Sequence, residues 1–148
     1  NIVDLSEFEL PFKITKEMIE QKVKHTAREK LIVLRTDLTN KLGYESKEWH
    51  TKAPYLDIEA ANWIVDNNYI SVCLDFPQDY IAREMPTRKV YNKEFIIHHK
   101  IFDNSITFIE DLKDIGLINK NKIQICAIPL KMDCYDGAPM RTIAIDWE

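Results

Sequence analysis

The chain has 148 residues, with 20 Lys and Arg against 24 Asp and Glu and a formal net charge of −4. Its 45% hydrophobic content is enough to bury the core of one domain, taken here as a single unit over 1–148. No apolar run approaches the roughly 20 residues that a membrane helix needs. The basic residues are scattered among acids and do not form the clustered surface that binds phosphates, so membrane-spanning and general nucleic-acid-binding roles are not expected.

Cys73, Cys126 and Cys134 show no CxxC spacing. That pattern suits reduced thiols in a cytoplasmic protein better than a zinc cluster, and Cys73 and Cys126, inside apolar runs, read as core residues. In chain order, Ile2 to Leu5 is a plausible strand, and the chain opening so close to a strand is expected to reflect missing upstream residues. Thr15 can cap a helix over 16–24 with Met18, Ile19 and Val23 on its buried side. The run "KLIVLRT" (30–36) has strand length and no alternation, which predicts burial on both faces. Residues 37–56 are polar and turn-rich and read as a long surface loop.

Asp57 can cap a second helix over 58–68, whose apolar stripe is Ala60, Ala61, Ile64 and Val65. "YISVCLD" (69–75) is another buried strand, and Pro77 and Pro86 bracket a second loop. Residues 93–104, "KEFIIHHKIFDN", have helical spacing that puts Phe95, His98, Ile101 and Phe102 on one face, with Asn104 as a stop. "SITFIED" then alternates Ile106, Phe108 and Glu110. "IQICAIPL" and "RTIAIDW" finish the chain as two strands joined by "DCYDGAP". Helices alternating with apolar strands indicate an α/β domain.

Four histidines are present. His25 and His50 lie in polar segments and read as surface residues, and His99 as exposed or hydrogen-bonded. His98 and Glu110 stay open by residue chemistry alone. They read either as two metal ligands or as a helix histidine followed by a carboxylate that needs a cation or hydrogen-bond donors. No HxH, HxxxH or HExxH is present to complete a ligand set.

Several segments, taken in order, resemble the cyclase-like metal-dependent hydrolases, the family that includes bacterial kynurenine formamidase. "NIVDLS" resembles the strand after that family's metal motif, and "LIVLRTDLTNKLG" its "LLRTGW"-type strand and turn. "YLDIEAANWIVDNNYISVCLDFPQDY" is similar to its "LSPEAAEWLVERG…VGIDTPS" helix and strand. "HHKIFDNSITFIEDL" resembles "HRILLGAGIPIIENL" with the same interval from His98 to Glu110, and "IPLKMDCYDGAPMRTIAI" resembles "LPLKIEGGDGSPVRAIAI". Two departures stand out: "LGAGIP" becomes "FDNSIT", and "TGW" becomes "TDL".

The resemblance implies a swivelling β/β/α domain, here N-terminally incomplete, because the family's HxGTHxDxP segment does not occur in these 148 residues. It implies that His98 is a metal ligand and Glu110 a ligand able to bridge two metals. The ion would be divalent, Zn or Mn, in a binuclear centre, and the expected acid/base histidine would lie upstream. The implied reaction is hydrolysis of an amide, formamide or lactam in a small-molecule substrate, by a homo-oligomer (dimer or tetramer). Trp49, Tyr55 and Tyr80 are candidates for an aromatic-lined pocket. Arg35, Arg141 and the turn Asp136-Gly137-Ala138-Pro139 read as structural, with Gly137 supplying a positive φ. The competing expectation is a non-catalytic binding or structural relative that has lost the metal motif.

Overall fold

The computed structural model describes residues 1–23, 29–133 and 136–146. The readings made for His25, Cys134 and Trp147 lie outside these residues. Four strands, β1 (Ile2–Asp4), β3 (Leu31–Arg35), β5 (Ser71–Leu74) and β6 (Thr107–Ile109), form a parallel sheet in the order β1-β3-β5-β6. Neighbouring strands align Val3 with Leu34, Leu34 with Leu74, and Val72 with Phe108.

Parallel strands need crossovers, and helices provide them. α1 (Lys16–Lys22) starts at Thr15, whose hydroxyl accepts from the Met18 N–H at 3.5 Å. α4 (Ile58–Asp66) starts at Asp57, whose Oδ1 accepts from the Ala60 N–H at 2.8 Å. Both caps were legible in the sequence. A two-residue parallel pairing of β2 (Lys13–Ile14) with β4 (Tyr55–Leu56) immediately precedes them and ties the two helix starts together. The third helix, α5 (Ile96–Phe102), leads into β6.

Strand alternation sorts the sheet into two faces. Val3, Ile32, Leu34, Val72, Leu74 and Phe108 point to the helices, where Ile19, Ala60, Ala61, Trp63, Ile64, Ile97 and Ile101 complete the larger core. Ile2, Val33, Cys73 and Ile109 point the other way, towards Ile115 and the partly buried Ile125 and Ala127. These last two belong to an antiparallel hairpin, β7 (Gln124–Pro129) with β8 (Met140–Ile145). The layers are therefore hairpin, parallel sheet and helices, the β/β/α order that the resemblance implies.

The structure departs from the sequence reading at several places. Residues 37–56 are not one loop: they hold α2 (Leu38–Leu42), α3 (Glu48–Thr51) and β4. These short helices rest on long-range contacts, such as the Trp49 indole N–H donating to Thr39 Oγ1 at 3.2 Å and Lys41 Nζ donating to the Phe8 carbonyl at 3.0 Å. Trp63 joins the stripe of α4, while Val65 is only half-buried. Ile97, outside the face of Phe95, His98, Ile101 and Phe102 in the sequence reading, joins Ile101 on the core side of α5, while Phe102 is exposed. Cys73 is buried, and burial pushes its thiol up to about 12, which leaves it inert at neutral pH. Cys126 is half-buried at the hairpin instead of in the core. Gly137 does not adopt a positive φ. The glycine that does is Gly43, at φ 77 after α2.

Candidate functional site

The polar side chains gather at the C-terminal ends of the parallel strands, where open α/β sheets place their sites. Asp75, just past β5, is buried and accepts from the Thr36 N–H (2.9 Å), the Thr36 hydroxyl (2.8 Å) and the Asp37 N–H (2.7 Å). Burial pushes its carboxyl above the usual range, against the pull of those hydrogen bonds. Its work is structural, holding the turn between β3 and α2 against β5. Arg35 is also structural, as the sequence predicted. It bridges Asp37 (2.7 Å) and Asp4 (3.2 Å), and a Cβ on Gly116 would come within 3.1 Å of its guanidinium and of Asp37. A larger residue at this point of the 115–117 turn would have to push the ion pair aside by a few tenths of an ångström.

One strand further along, Gln78, Asp79, His98 and Glu110 converge. Asp79 is buried and divides its two oxygens among three donors: the Ile97 N–H (2.7 Å), the His98 N–H (3.1 Å) and the His98 ring at Nδ1 (2.7 Å). The carboxylate thus closes the first turn of α5 and orients the ring that this turn carries. The other ring nitrogen, Nε2, lies 3.5 Å from Glu110 Oε1. Phe95, Phe102 and Phe108 surround the imidazole at centroid distances of 5.5, 5.6 and 5.2 Å. The Gln78 amide nitrogen donates to Glu110 Oε1 at 2.9 Å and sits 2.9 Å from His98 Nε2.

Burial pulls the His98 pKa down, but the hydrogen bonds and charges of Asp79 and Glu110 outweigh it and raise it to about 9. The His98 hydrogen bond holds the Glu110 carboxyl below its usual range, against burial and with help from Gln78. The next residue, Asp111, has φ 53, a left-handed conformation that non-glycine residues seldom adopt. Burial and then repulsion from Glu110 push its carboxyl up, against the pull of His50.

A cavity of about 290 Å³ opens over this cluster, walled by Tyr44, Trp49, Phe76, Phe95 and Met85, with His50 on its rim. Trp49, one of the aromatic candidates, therefore lines the site. Tyr55 and Tyr80 meet edge to face at 5.0 Å beside Arg83 and do not line it. His99 is exposed and bonds the Asn92 carbonyl, as expected. A larger cleft of about 860 Å³ lies between sheet and hairpin, and Glu110 and Asp111 border both spaces. The 136–139 turn and Arg141 line this cleft.

His98 and Glu110 fit a divalent ion in donor type and direction, and a histidine whose far nitrogen is fixed by a carboxylate is the usual state of a metal-bound imidazole. The buried Gln78 Oε1 has no hydrogen-bond partner among the described residues, so protein groups alone do not satisfy the cluster. The set is short, however. A catalytic centre takes about three protein ligands, and among the described residues no group of three or more His, Cys, Asp or Glu side chains is arranged to hold an ion. The residues present make part of a site. Gln78 and Asp79 were missed in the sequence, where "FPQDY" reads as loop. The available signal was their position directly after a buried strand.

The fold is that of the cyclase-like metal-dependent hydrolases. The chain superposes over 99% of its length on a potential metal-dependent hydrolase with cyclase activity (TM-score 0.69, 20% identity). It matches an isatin hydrolase bound to a product analogue, thioisatinate (TM-score 0.74, 17% identity), and isatin hydrolase A from Labrenzia aggregata (TM-score 0.74, 16% identity), each over 97% of this chain. It spans 64% of the first of these structures and 58% of the other two. No family model and no curated protein matches the sequence.

Proposed function

We propose that the protein is a metal-dependent hydrolase acting on an amide, formamide or lactam, with His98 and Glu110 as two ligands of a centre whose other ligands lie outside the described residues. One observation carries this reading: a histidine locked at Nδ1 by a buried carboxylate points its Nε2 at a second carboxylate, inside an aromatic-walled cavity. A divalent ion, Zn or Mn, would supply Lewis acidity towards a carbonyl oxygen and towards water. The second oxygen of Glu110 would let it bridge two ions. Asp79 holds the imidazole in one orientation, the phenylalanines keep water from its faces, and the aromatic wall suits a planar acyl or aryl group such as that of a formylated aromatic amine. The substrate is a small molecule, the assembly a homodimer or tetramer and the location cytoplasmic. No helix among the described residues is long and apolar enough to cross a membrane.

The test is metal analysis of the full-length protein. Zn or Mn should co-purify in stoichiometric amount, His98→Ala should remove most of it, and Asp79→Asn should weaken affinity by roughly 10–100-fold. Unchanged occupancy in His98→Ala would take His98 out of the centre. Light scattering tests the assembly, and a monomer would refute it.

One observation favours a second reading, a non-catalytic binding protein on the same scaffold. The Gln78 amide nitrogen already occupies the space between His98 and Glu110, within hydrogen-bond distance of both. Absence of bound metal in the natively expressed full-length protein would decide for it.

A further inference from the structure

Four side chains make up the cluster, and they are layered. His98 and Glu110 form the outer pair, with 28% and 44% of their side chains exposed. Gln78 and Asp79, adjacent in the chain just past β5, lie deeper and are almost wholly buried. Asp79 holds the His98 ring at Nδ1. Gln78 stands to Glu110 as Asp79 stands to His98, because its amide Nε2 donates to Glu110 Oε1 at 2.9 Å. Its backbone is fixed as well, since the Gln78 carbonyl accepts from the Leu56 N–H at 2.9 Å. The same amide nitrogen lies 2.9 and 3.1 Å from the two ring nitrogens of His98, so it packs against both members of the outer pair.

An amide is a poor choice here for the fold alone. Gln78 Oε1 is buried and has no hydrogen-bond partner among the described residues, and a buried acceptor left without a donor destabilises the folded state. A methionine of similar length would fill the same space without that penalty. What the amide supplies is a donor without charge. A carboxylate in its place would repel Glu110, and a lysine would donate to Glu110 but repel a divalent cation. Glu110 is also the more exposed of the two candidate ligands and has more freedom to lose on taking up an ion. Anchoring its Oε1 removes part of that loss beforehand.

We propose that Gln78 is the positioning residue of Glu110, an uncharged donor that presets the carboxylate for a divalent cation and serves the ion instead of the fold. This role rests on the hydrolase reading above. The two consecutive residues after β5 then divide the work, Gln78 orienting the carboxylate ligand and Asp79 the imidazole.

The experiment measures Zn and Mn affinity of the full-length protein by competition with a chelating dye, beside the urea midpoint of its metal-free form. Gln78→Met should weaken affinity by roughly 10–100-fold, while the midpoint stays at the wild-type value or rises as the unpartnered oxygen is removed. In a Glu110→Ala background the same substitution should weaken affinity by less than about twofold, because the group it acts through is gone. Unchanged affinity in Gln78→Met, or an equal further loss in the Glu110→Ala background, would overturn the role of Gln78 and leave the hydrolase reading intact. A fall in midpoint, up to failure to fold, would overturn it too, since the residue would then serve the fold. A wild type that binds neither ion would overturn the two together.

Discussion

The two faces of the parallel sheet are built alike and finished differently. On the helix side, alternate residues of every strand meet three helices, and Leu34, Leu74, Ile64 and Ile101 are wholly buried. On the hairpin side, the facing residues Val33, Cys73 and Ile109 are as apolar and as buried, but β7 and β8, which cover them, are themselves only half-buried to exposed, and a cleft of about 860 Å³ opens beside them. The outer surface of the hairpin exposes Ile128 and Ile143, and Met140 is exposed in the cleft. Apolar alternation in a strand therefore predicts that a face will be covered and says nothing of how completely. The stability of this chain should rest on the helix side, and the candidate site sits where that side ends.

Substitutions can break this comparison. Ile101→Ala, on the closed side, should cost about 3–4 kcal/mol, the range for deleting a buried aliphatic side chain, read from the shift in urea midpoint. A loss below about 1 kcal/mol would mean that the helix side is not the stabilising one. Asp79→Ala should cost about 2–4 kcal/mol, because it leaves two buried N–H groups and an imidazole without their acceptor. His98 ring resonances should then lose their single orientation in NMR.

The pH dependence of the metal-free chain sharpens the site's share. The folded His98 pKa is raised from 6.5 to about 9, so its contribution is complete below pH 6.5 and is lost as pH rises through 9. Glu110 is shifted down from 4.5, so its contribution is present above that value and is lost as pH falls through its folded value. Both are complete between about pH 4.5 and 6.5. Denaturation midpoints should fall from there towards pH 9, by up to about 3 kcal/mol, and His98→Ala should flatten that slope. On the open side, Ile125→Ala should cost about 1 kcal/mol or less, and Ile143→Ser should stay within about 0.5 kcal/mol. Losses equal to that of Ile101→Ala would erase the contrast between the faces.

What was legible in the sequence follows from locality. Thr15 and Asp57 announced their helices because a cap acts on a backbone N–H three residues away. The strands at 31–35 and 71–74 were legible from their unbroken apolar runs. α2 and α3 were not, because helices this short have little stability of their own and form only against Trp49 and the segment around Phe8. The ligand pair was singled out by resemblance, since its interval alone has no chemical signature. Gln78 and Asp79 were invisible for the same reason, their partners being up to 32 residues away.

Asp79 has one more consequence. Because a single carboxylate holds both the first turn of α5 and the imidazole, the ring gives up its rotational freedom when the helix forms. Whatever takes the place of the Nε2 proton meets a nitrogen that is already aligned, so the entropic cost of ordering that donor falls on folding and not on capture. Loosening the 77–86 connection would move that cost back, weakening capture at His98 without altering any group that touches the ligand.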